Sequence, residues 1–347
     1  MSVETPHLEK IEGLLFEKYG YKTVWISHIS TGLIHDTYKV QTEHRCFAFQ
    51  QLHPKLSNSA VMEDYYAVTR YLDMVDFPGP ELILTQEGGL CAEDDDGRWW
   101  RLSTWLPGRS YEAVEKRVMI REAARLTGQF HHTLAGIEYS FQSRHPLHDT
   151  KFHLRRLEKA MSDHRQSKWF TVMEHLAVDV LEKLPRLVLP ELPLWVVHGD
   201  LKISNFLFDD TDTAMALVDL DTCTHHSVLV DLGDAMRSWC RSGKEDEECA
   251  FLLDRCELML QGYAGSSVRL SVEERELLPQ AGLLITLELA SRFLADVLED
   301  VYFGWDATRY RSRPEHNLAR ARGMVFLAHD LEVKKLKIER LVTKYFN

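Results

Sequence analysis

The segment His198-Gly199-Asp200-Leu201-Lys202-Ile203-Ser204-Asn205, followed by Val218-Asp219-Leu220-Asp221, gathers side chains that could do chemistry. Asp200 is a carboxylate placed just after the apolar run Trp195 to Val197, and Asn205 adds a neutral oxygen five residues on. Asp219 stands towards the end of another apolar run, Ala214 to Leu220. A hairpin made of Phe206 to Phe208 and this second run would bring Asn205 and Asp219 together at its open end. An Asp and an Asn on adjacent strand ends suit Mg²⁺, a hard cation that takes few protein oxygens and leaves room for phosphates. Asp200 could accept a proton from a hydroxyl, and Lys202 could neutralise a phosphoryl group in flight. Positioning, a metal and a base are what phosphoryl transfer needs.

The rest of the chain must hold these residues in place. Its first third reads as β-rich, with strand-like runs at Val24 to Ile29, Thr37 to Thr42, Arg45 to Leu52, Glu81 to Thr85, Gly89 to Ala92 and Trp99 to Trp105. Asn58 to Leu72 reads as a helix, because Val61, Tyr65, Val68 and Leu72 recur at spacings of four, three and four. The acidic stretch Glu93 to Asp96 with Gly97 reads as a solvated hairpin tip, and Glu245 to Glu248 as a solvated helix start. At Pro107-Gly108 the character changes. Beyond it, Met119, Ala123, Leu126, Phe130 and Leu134 form one helical stripe, and Leu283, Leu287, Ala290, Leu294 and Val297 another. The expectation is a small β-rich lobe over 1–106, a hinge near Trp105 to Gly108, and a larger, mainly helical lobe over 107–347. A cleft between the lobes is the expected ligand site.

Composition narrows the partners. The 347 residues include 41 Lys+Arg against 53 Asp+Glu, a formal net charge of −12. That balance argues against nucleic acid and anionic membranes, which are bound through excess Lys and Arg, but it leaves room for a locally basic site. No export signal and no uncharged apolar stretch of about 18 residues is seen. The six cysteines form no C-x-x-C pair and read as reduced thiols, so a cytoplasmic protein, monomeric or homodimeric, is expected. Seventeen histidines invite metal hypotheses. However, His131-His132 and His225-His226 are adjacent pairs that point apart, and His145, His148 and His153 lack a cysteine at ligand spacing. There is no G-x-S-x-G to anchor serine hydrolase chemistry.

The Asp200-to-Asn205 spacing and the downstream Asp219 match the kinase catalytic loop H-R-D-x-x-x-x-N. With Gly199 in place of Arg, the segment resembles the aminoglycoside phosphotransferase and choline kinase branch. The resemblance implies an α+β, bilobal protein-kinase-like fold, with ATP as co-substrate and Mg²⁺ as cofactor. A narrower resemblance, to the N-acetylhexosamine 1-kinases, rests on Ser30 to Val40, Phe47 to Leu52, Val218 to Thr222, Asp231 to Arg237, Arg292 to Asp296, Asp300 to Phe303 and His316 to Leu318. It implies Asp200 as the base and Asn205 and Asp219 as metal ligands. Gly32, Leu33, Ile34 and His35 would form the loop over the phosphates, joined by Gln50. Trp105 and Leu106 would meet adenine through the backbone. Asp36, Arg237 and Arg292 would contact a sugar.

One departure stands out. Phe49-Gln50-Gln51 carries no lysine on the third strand, where the pattern calls for a basic residue paired with a helix carboxylate, here Glu63. Two assignments stay open on the residues alone. Arg292 with Glu288 and Asp296 could be a helical salt-bridge row or a sugar contact, and Asp221 could assist the metal or be an exposed turn carboxylate. Asp231 is expected to brace the catalytic loop. The reading is a kinase that forms a sugar 1-phosphate. The alternatives are a choline, aminoglycoside or amino-alcohol kinase, and a catalytically weak nucleotide or sugar sensor.

Overall fold

Alternation builds the N-terminal sheet. In β2 (Asp36–Thr42) and β3 (Cys46–Gln51), following β1 (Thr23–Ile29), Tyr38, Val40, Phe47 and Phe49 point to one face and are buried. That face is covered by Ile11, Leu15 and Tyr19 of α1 (Thr5–Tyr19). This helix is not among the elements expected from the sequence, where its apolar stripe is interleaved with charged residues. The computed structural model describes residues 5–29, 35–143 and 147–346, so the expected phosphate loop at Gly32, Leu33 and Ile34 lies outside the described residues.

After α2 (Ser59–Met74) come β4 (Leu82–Ile83), β5 (Ala92–Glu93) and β6 (Trp99–Thr104). The antiparallel order is β1-β2-β3-β6-β4, with β5 beside β6. Asn58 caps α2 by accepting the Val61 amide, and the helix buries Val61, Tyr65, Val68 and Leu72 as its spacing predicts. The hairpin tip at Glu93 to Gly97 is not simply solvated. Asp94 is buried and accepts from the amides of Asp96 (2.9 Å) and Arg98 (3.1 Å) and from the Trp100 indole (3.1 Å).

Two compact units emerge: Met1–Glu112 with His132–Arg144 and Ser204–Thr224, and Ala113–His131 with His145–Ile203 and His225–Asn347. The second is mainly helical and contains α3 (Arg117–Leu134, apart from its last turn), α4 (Thr150–Asp163) and α5 (Phe170–Lys183). Next come β7 (Trp195–Val197), then β8 (Phe206–Phe208) and β9 (Ala214–Leu217), which form a hairpin in the first unit. The short β10 (Thr224–His226), paired with β7, leads to α6 (Val228–Trp239), α7 (Leu253–Ala264), α8 (Val272–Glu299) and α9 (Arg313–Phe346). No helix among the described residues is long and apolar enough to cross a membrane. Glu245 to Glu248 is a turn rather than a helix start.

α8 is buried along most of its length and starts with a capping box, Ser271 with Glu274. It lies so close to α6 that a Cβ on Gly233 would come within 2.5 Å of the Ala281 carbonyl oxygen and 2.7 Å of Ile285. Gly233→Ala is therefore expected to destabilise the fold by about 1–3 kcal/mol, the usual cost of overpacking. Gly13→Ala, in α1 with nothing within 4 Å of the new Cβ, should be neutral or stabilising. Urea midpoints of the two variants check this; an unchanged midpoint for Gly233→Ala would contradict the packing account.

Candidate active site

In the second unit, the loop after β7 is held almost atom by atom. Asp231, in the first turn of α6 and wholly buried, accepts the His198 amide (2.7 Å) and the Gly199 amide (2.8 Å). The bracing role expected of it has this geometry. The loop turns at Gly199 with φ +82°, a left-handed conformation that strains any residue with a Cβ, which explains Gly where the kinase pattern has Arg. Asp200 donates its amide to His198 Nδ1 (3.2 Å), and Leu201 accepts the Trp239 indole at its carbonyl (2.7 Å). His131 of α3, also wholly buried, sets Nε2 on Asp231 (2.8 Å) and Nδ1 on the Tyr263 hydroxyl (2.9 Å). Burial alone would push the Asp231 carboxyl up; the hydrogen bond from His131 and the neighbouring His198 outweigh it and hold the group below the ordinary value.

The Gly199 carbonyl faces His148 Nε2 at 2.9 Å, while His148 Nδ1 faces Glu288 of α8 at 2.9 Å. Carbonyl and carboxylate are both acceptors, so this arrangement calls for hydrogen on both ring nitrogens. Burial opposes that charge, but Glu288 prevails and the His148 pKa is raised. Asp200 itself accepts from Lys202 Nζ at 2.7 Å. Burial works against ionisation here too, yet Lys202, with His198 and Arg237 behind it, holds the carboxyl below its ordinary 3.8.

In the first unit, the β8–β9 hairpin does what its sequence suggests. Phe206 pairs with Leu217, and the Asn205 carbonyl accepts the Val218 amide at 2.9 Å, so Asn205 and Asp219 flank the open end. Asp219 adopts a left-handed conformation, φ 64°, ψ 54°, uncommon for a residue with a side chain and most tolerable for Asp and Asn. His35, Asp219 and Asp221 bring ligand atoms within 4.8 Å of one another. Two of these are committed elsewhere. Both Asp221 oxygens accept from the Arg101 guanidinium, and His35 Nδ1 accepts the His53 amide (3.0 Å) while Nε2 faces Asp221 (3.3 Å). Asn205 and Asp219 carry oxygen donors of the kind a hard cation takes.

The other expected site residues fall as follows. Asp221 is neither an exposed turn carboxylate nor a free ligand: it is buried against Arg101 and stays well below the usual carboxylate range. The His35 side chain, expected at the nucleotide, is turned inward to Asp221. Gln50 donates to Thr37 Oγ1 (3.1 Å) and accepts from Arg101 Nε (2.9 Å). Gln51 points to the other side of the strand, with Nε2 buried and without a partner. Glu63 is exposed and accepts from Gln142 (3.0 Å), so it does not supply the helix carboxylate. The Trp105 amide donates to the Cys46 carbonyl (3.1 Å). Asp36 is exposed at the start of β2.

Arg237 is buried between Asp234 and Glu245, both at 2.8 Å. Arg292 does not join a salt-bridge row. Glu288 is taken by His148 and Thr150, and Asp296 accepts the amides of Val301, Tyr302 and Phe303 and the Asn317 side chain. The Arg292 guanidinium instead donates Nη1 to the Leu147 carbonyl (3.5 Å) and lies 5.9 Å from the Tyr302 ring and 5.6 Å from that of Phe303. The pairings of Arg101, His131 and His148 leave no trace in sequence spacing, because their partners lie 100 to 140 positions away. A lone Arg in the apolar strand Trp99–Thr104 was the one available signal.

The raised His148 pKa makes a pH prediction. A histidine whose folded pKa lies above 6.5 contributes stability fully below that value and loses it as pH rises through the folded pKa. The stability difference between wild type and His148→Gln should therefore shrink as pH rises from about 6 to about 9. Denaturant midpoints of both proteins across that range measure it, and a difference independent of pH would contradict the charged bridge.

The model of the phosphotransferase enzyme family matches residues 25–264, more than half of the chain. Among solved structures, the chain is similar to a microcompartment-associated aminopropanol kinase, with a TM-score of 0.66, 17% identity and coverage of 94% of this chain and 98% of that one. It is similar to an amicoumacin kinase in complex with AMP-PNP and Ca²⁺, with a TM-score of 0.64, 16% identity and 93% of each chain covered. A choline kinase from Cryptosporidium parvum Iowa II gives a TM-score of 0.60, 15% identity and coverage of 98% and 100%. At these identities the likeness is one of fold: an N-terminal antiparallel sheet followed by a mainly helical region, the α+β protein-kinase-like fold. The chain belongs to the phosphotransferase enzyme family and is an ATP-dependent kinase of small-molecule hydroxyl groups.

Proposed function

We propose that the chain transfers the γ-phosphoryl group of Mg·ATP to the anomeric hydroxyl of a hexose or N-acetylhexosamine, giving a sugar 1-phosphate. The observation that carries the sugar reading is Arg292, whose neighbours on α8, Glu288 and Asp296, are both satisfied by other donors. A planar, bidentate guanidinium beside the aromatic rings of Tyr302 and Phe303 suits a sugar's paired oxygens. The solved neighbours carry the names of amine acceptors, choline and aminopropanol among them. Such an acceptor needs available carboxylates, and those of Asp231, Glu288 and Asp296 serve internal donors.

In this reading residues 1–106 carry the nucleotide contacts, with Gly32, Leu33, Ile34 and Gln50 at the phosphates and the Trp105 carbonyl and Leu106 at adenine. Residues 107–347 carry the catalytic residues and the acceptor contacts other than Asp36. Asn205 and Asp219 would hold Mg²⁺, which when bound offsets charge on the phosphate oxygens. Asp200 orients the acceptor hydroxyl and takes its proton. With its pKa held down by Lys202, Asp200 is a weak base, suited to a proton that leaves late, once the oxygen has begun to bond to phosphorus. Lys202 fixes the Asp200 carboxylate and balances the charge that develops beside it. Asp36 reaches the sugar from β2, while Arg237, enclosed by Asp234 and Glu245, shapes the acceptor wall from behind.

Asp200→Asn should lower kcat by about 10²–10⁴-fold while leaving nucleotide affinity nearly unchanged; turnover at the native rate would remove Asp200 from its role. Because the Asp200 pKa is depressed and the ionised form is the active one, kcat/KM should show no acid limb above about pH 5. Lys202→Met should move that limb to higher pH, and a limb that moves down or stays would contradict the assignment. ADP release measured over hexoses, N-acetylhexosamines, choline, aminopropanol and aminoglycosides tests the acceptor: turnover confined to the amines would overturn the sugar reading.

A further inference from the structure

The strand that lacks a lysine has a cation one strand away. Gln50 of β3 stands directly opposite Arg101 of β6 in the antiparallel register. Arg101 is 1% exposed, donates Nε to Gln50 Oε1 at 2.9 Å, and sends both terminal nitrogens to the two oxygens of Asp221, Nη2 at 2.6 Å. Its guanidinium lies 3.9 Å from the centre of the Tyr65 ring on α2, a helix face that Glu63 does not share. Burial pushes the Tyr65 hydroxyl up to about 12 against the opposing effect of Arg101, so it stays neutral beside the pair. Asp221 also meets His35 at 3.3 Å. Strands β2, β3 and β6 and helix α2 thus converge on a single carboxylate.

That carboxylate sits two residues after Asp219, inside the single 3₁₀ turn Leu220–Thr222 that Asp219 starts from its left-handed conformation. A one-turn segment has little stiffness of its own. A bidentate Arg–carboxylate pair fixes both distance and plane, so holding Asp221 also fixes where the turn begins. We propose that Arg101 and Asp221 are positioning residues that aim the Asp219 carboxylate at the metal–nucleotide complex, replacing the usual pair between a strand lysine and a helix carboxylate. The cation has moved from the third strand to its neighbour, and the anion from the helix to the metal-binding segment itself. The proposal rests on the reading of Asp219 as a metal ligand.

The test titrates Mg²⁺ against binding of a non-hydrolysable ATP analogue, which needs no acceptor and no turnover. Arg101→Met alone leaves a buried carboxylate with only His35 beside it and should lower the melting temperature sharply. Arg101→Met/Asp221→Leu removes both charges and should recover most of that loss. If the pair positions Asp219, the double variant should still need about 10–100-fold more Mg²⁺ for half-saturation, with metal-free nucleotide affinity unchanged. Arg101→Lys keeps the charge but loses the fork, and should fold and show a smaller rise in the same Mg²⁺ requirement. A native Mg²⁺ requirement in either folded variant overturns the proposal. Asp219→Asn separates the two ideas: if it too leaves the Mg²⁺ dependence native, the ligand reading of Asp219 is what fails.

Discussion

Asp231 accepts three hydrogen bonds inside the protein, from two consecutive backbone amides and one histidine, and the catalytic loop has its shape because of them. A buried carboxylate without donors is costly, and a tight loop leaves its amides with few partners. Each problem answers the other. Once Asp231 fixes His198 and Gly199, the direction of the chain at Asp200 follows. The glycine at φ +82° is the only residue type that makes the turn at no steric cost. His148 on the Gly199 carbonyl and Trp239 on the Leu201 carbonyl close the remaining freedom.

The first unit repeats this logic with another carboxylate. Asp221 accepts a guanidinium from β6, and through it the turn carrying Asp219 is tied to the sheet. A buried ion pair of this kind contributes little net stability over an apolar replacement. What it contributes is a fixed geometry at a place where the backbone is strained and the chain is short. In the first unit Asp219 is held through the side chain of its neighbour Asp221, and in the second Asp200 follows two backbone amides anchored on Asp231.

Which parts were legible in the sequence follows from that arrangement. Asp200, Lys202, Asn205 and Asp219 lie within one stretch, and their order and spacing announce phosphoryl transfer directly. The strands and the stripe of α2 were legible because apolar periodicity is local. His131, Arg101 and His148 were not, since each meets its carboxylate across at least 100 positions and spacing carries no trace of such a pairing. Local charge also misled. Glu93 to Asp96 and Glu245 to Glu248 look like solvated acidic runs, yet Asp94 organises a hairpin and Glu245 closes on buried Arg237. Strand parity, too, decides chemistry: Gln50 shares Arg101's side of the sheet and Gln51 does not.

The central claim, that Asp200 and the Asn205–Asp219 metal site serve an anomeric hydroxyl, is tested most directly by the position of the new phosphate ester. Phosphorus NMR of the product from a free N-acetylhexosamine, beside the same sugar with its anomeric oxygen methylated, reads that position. The account predicts a phosphate on C1 from the free sugar and no product from the methyl glycoside. Equal phosphorylation of both would place the ester on another hydroxyl and contradict it.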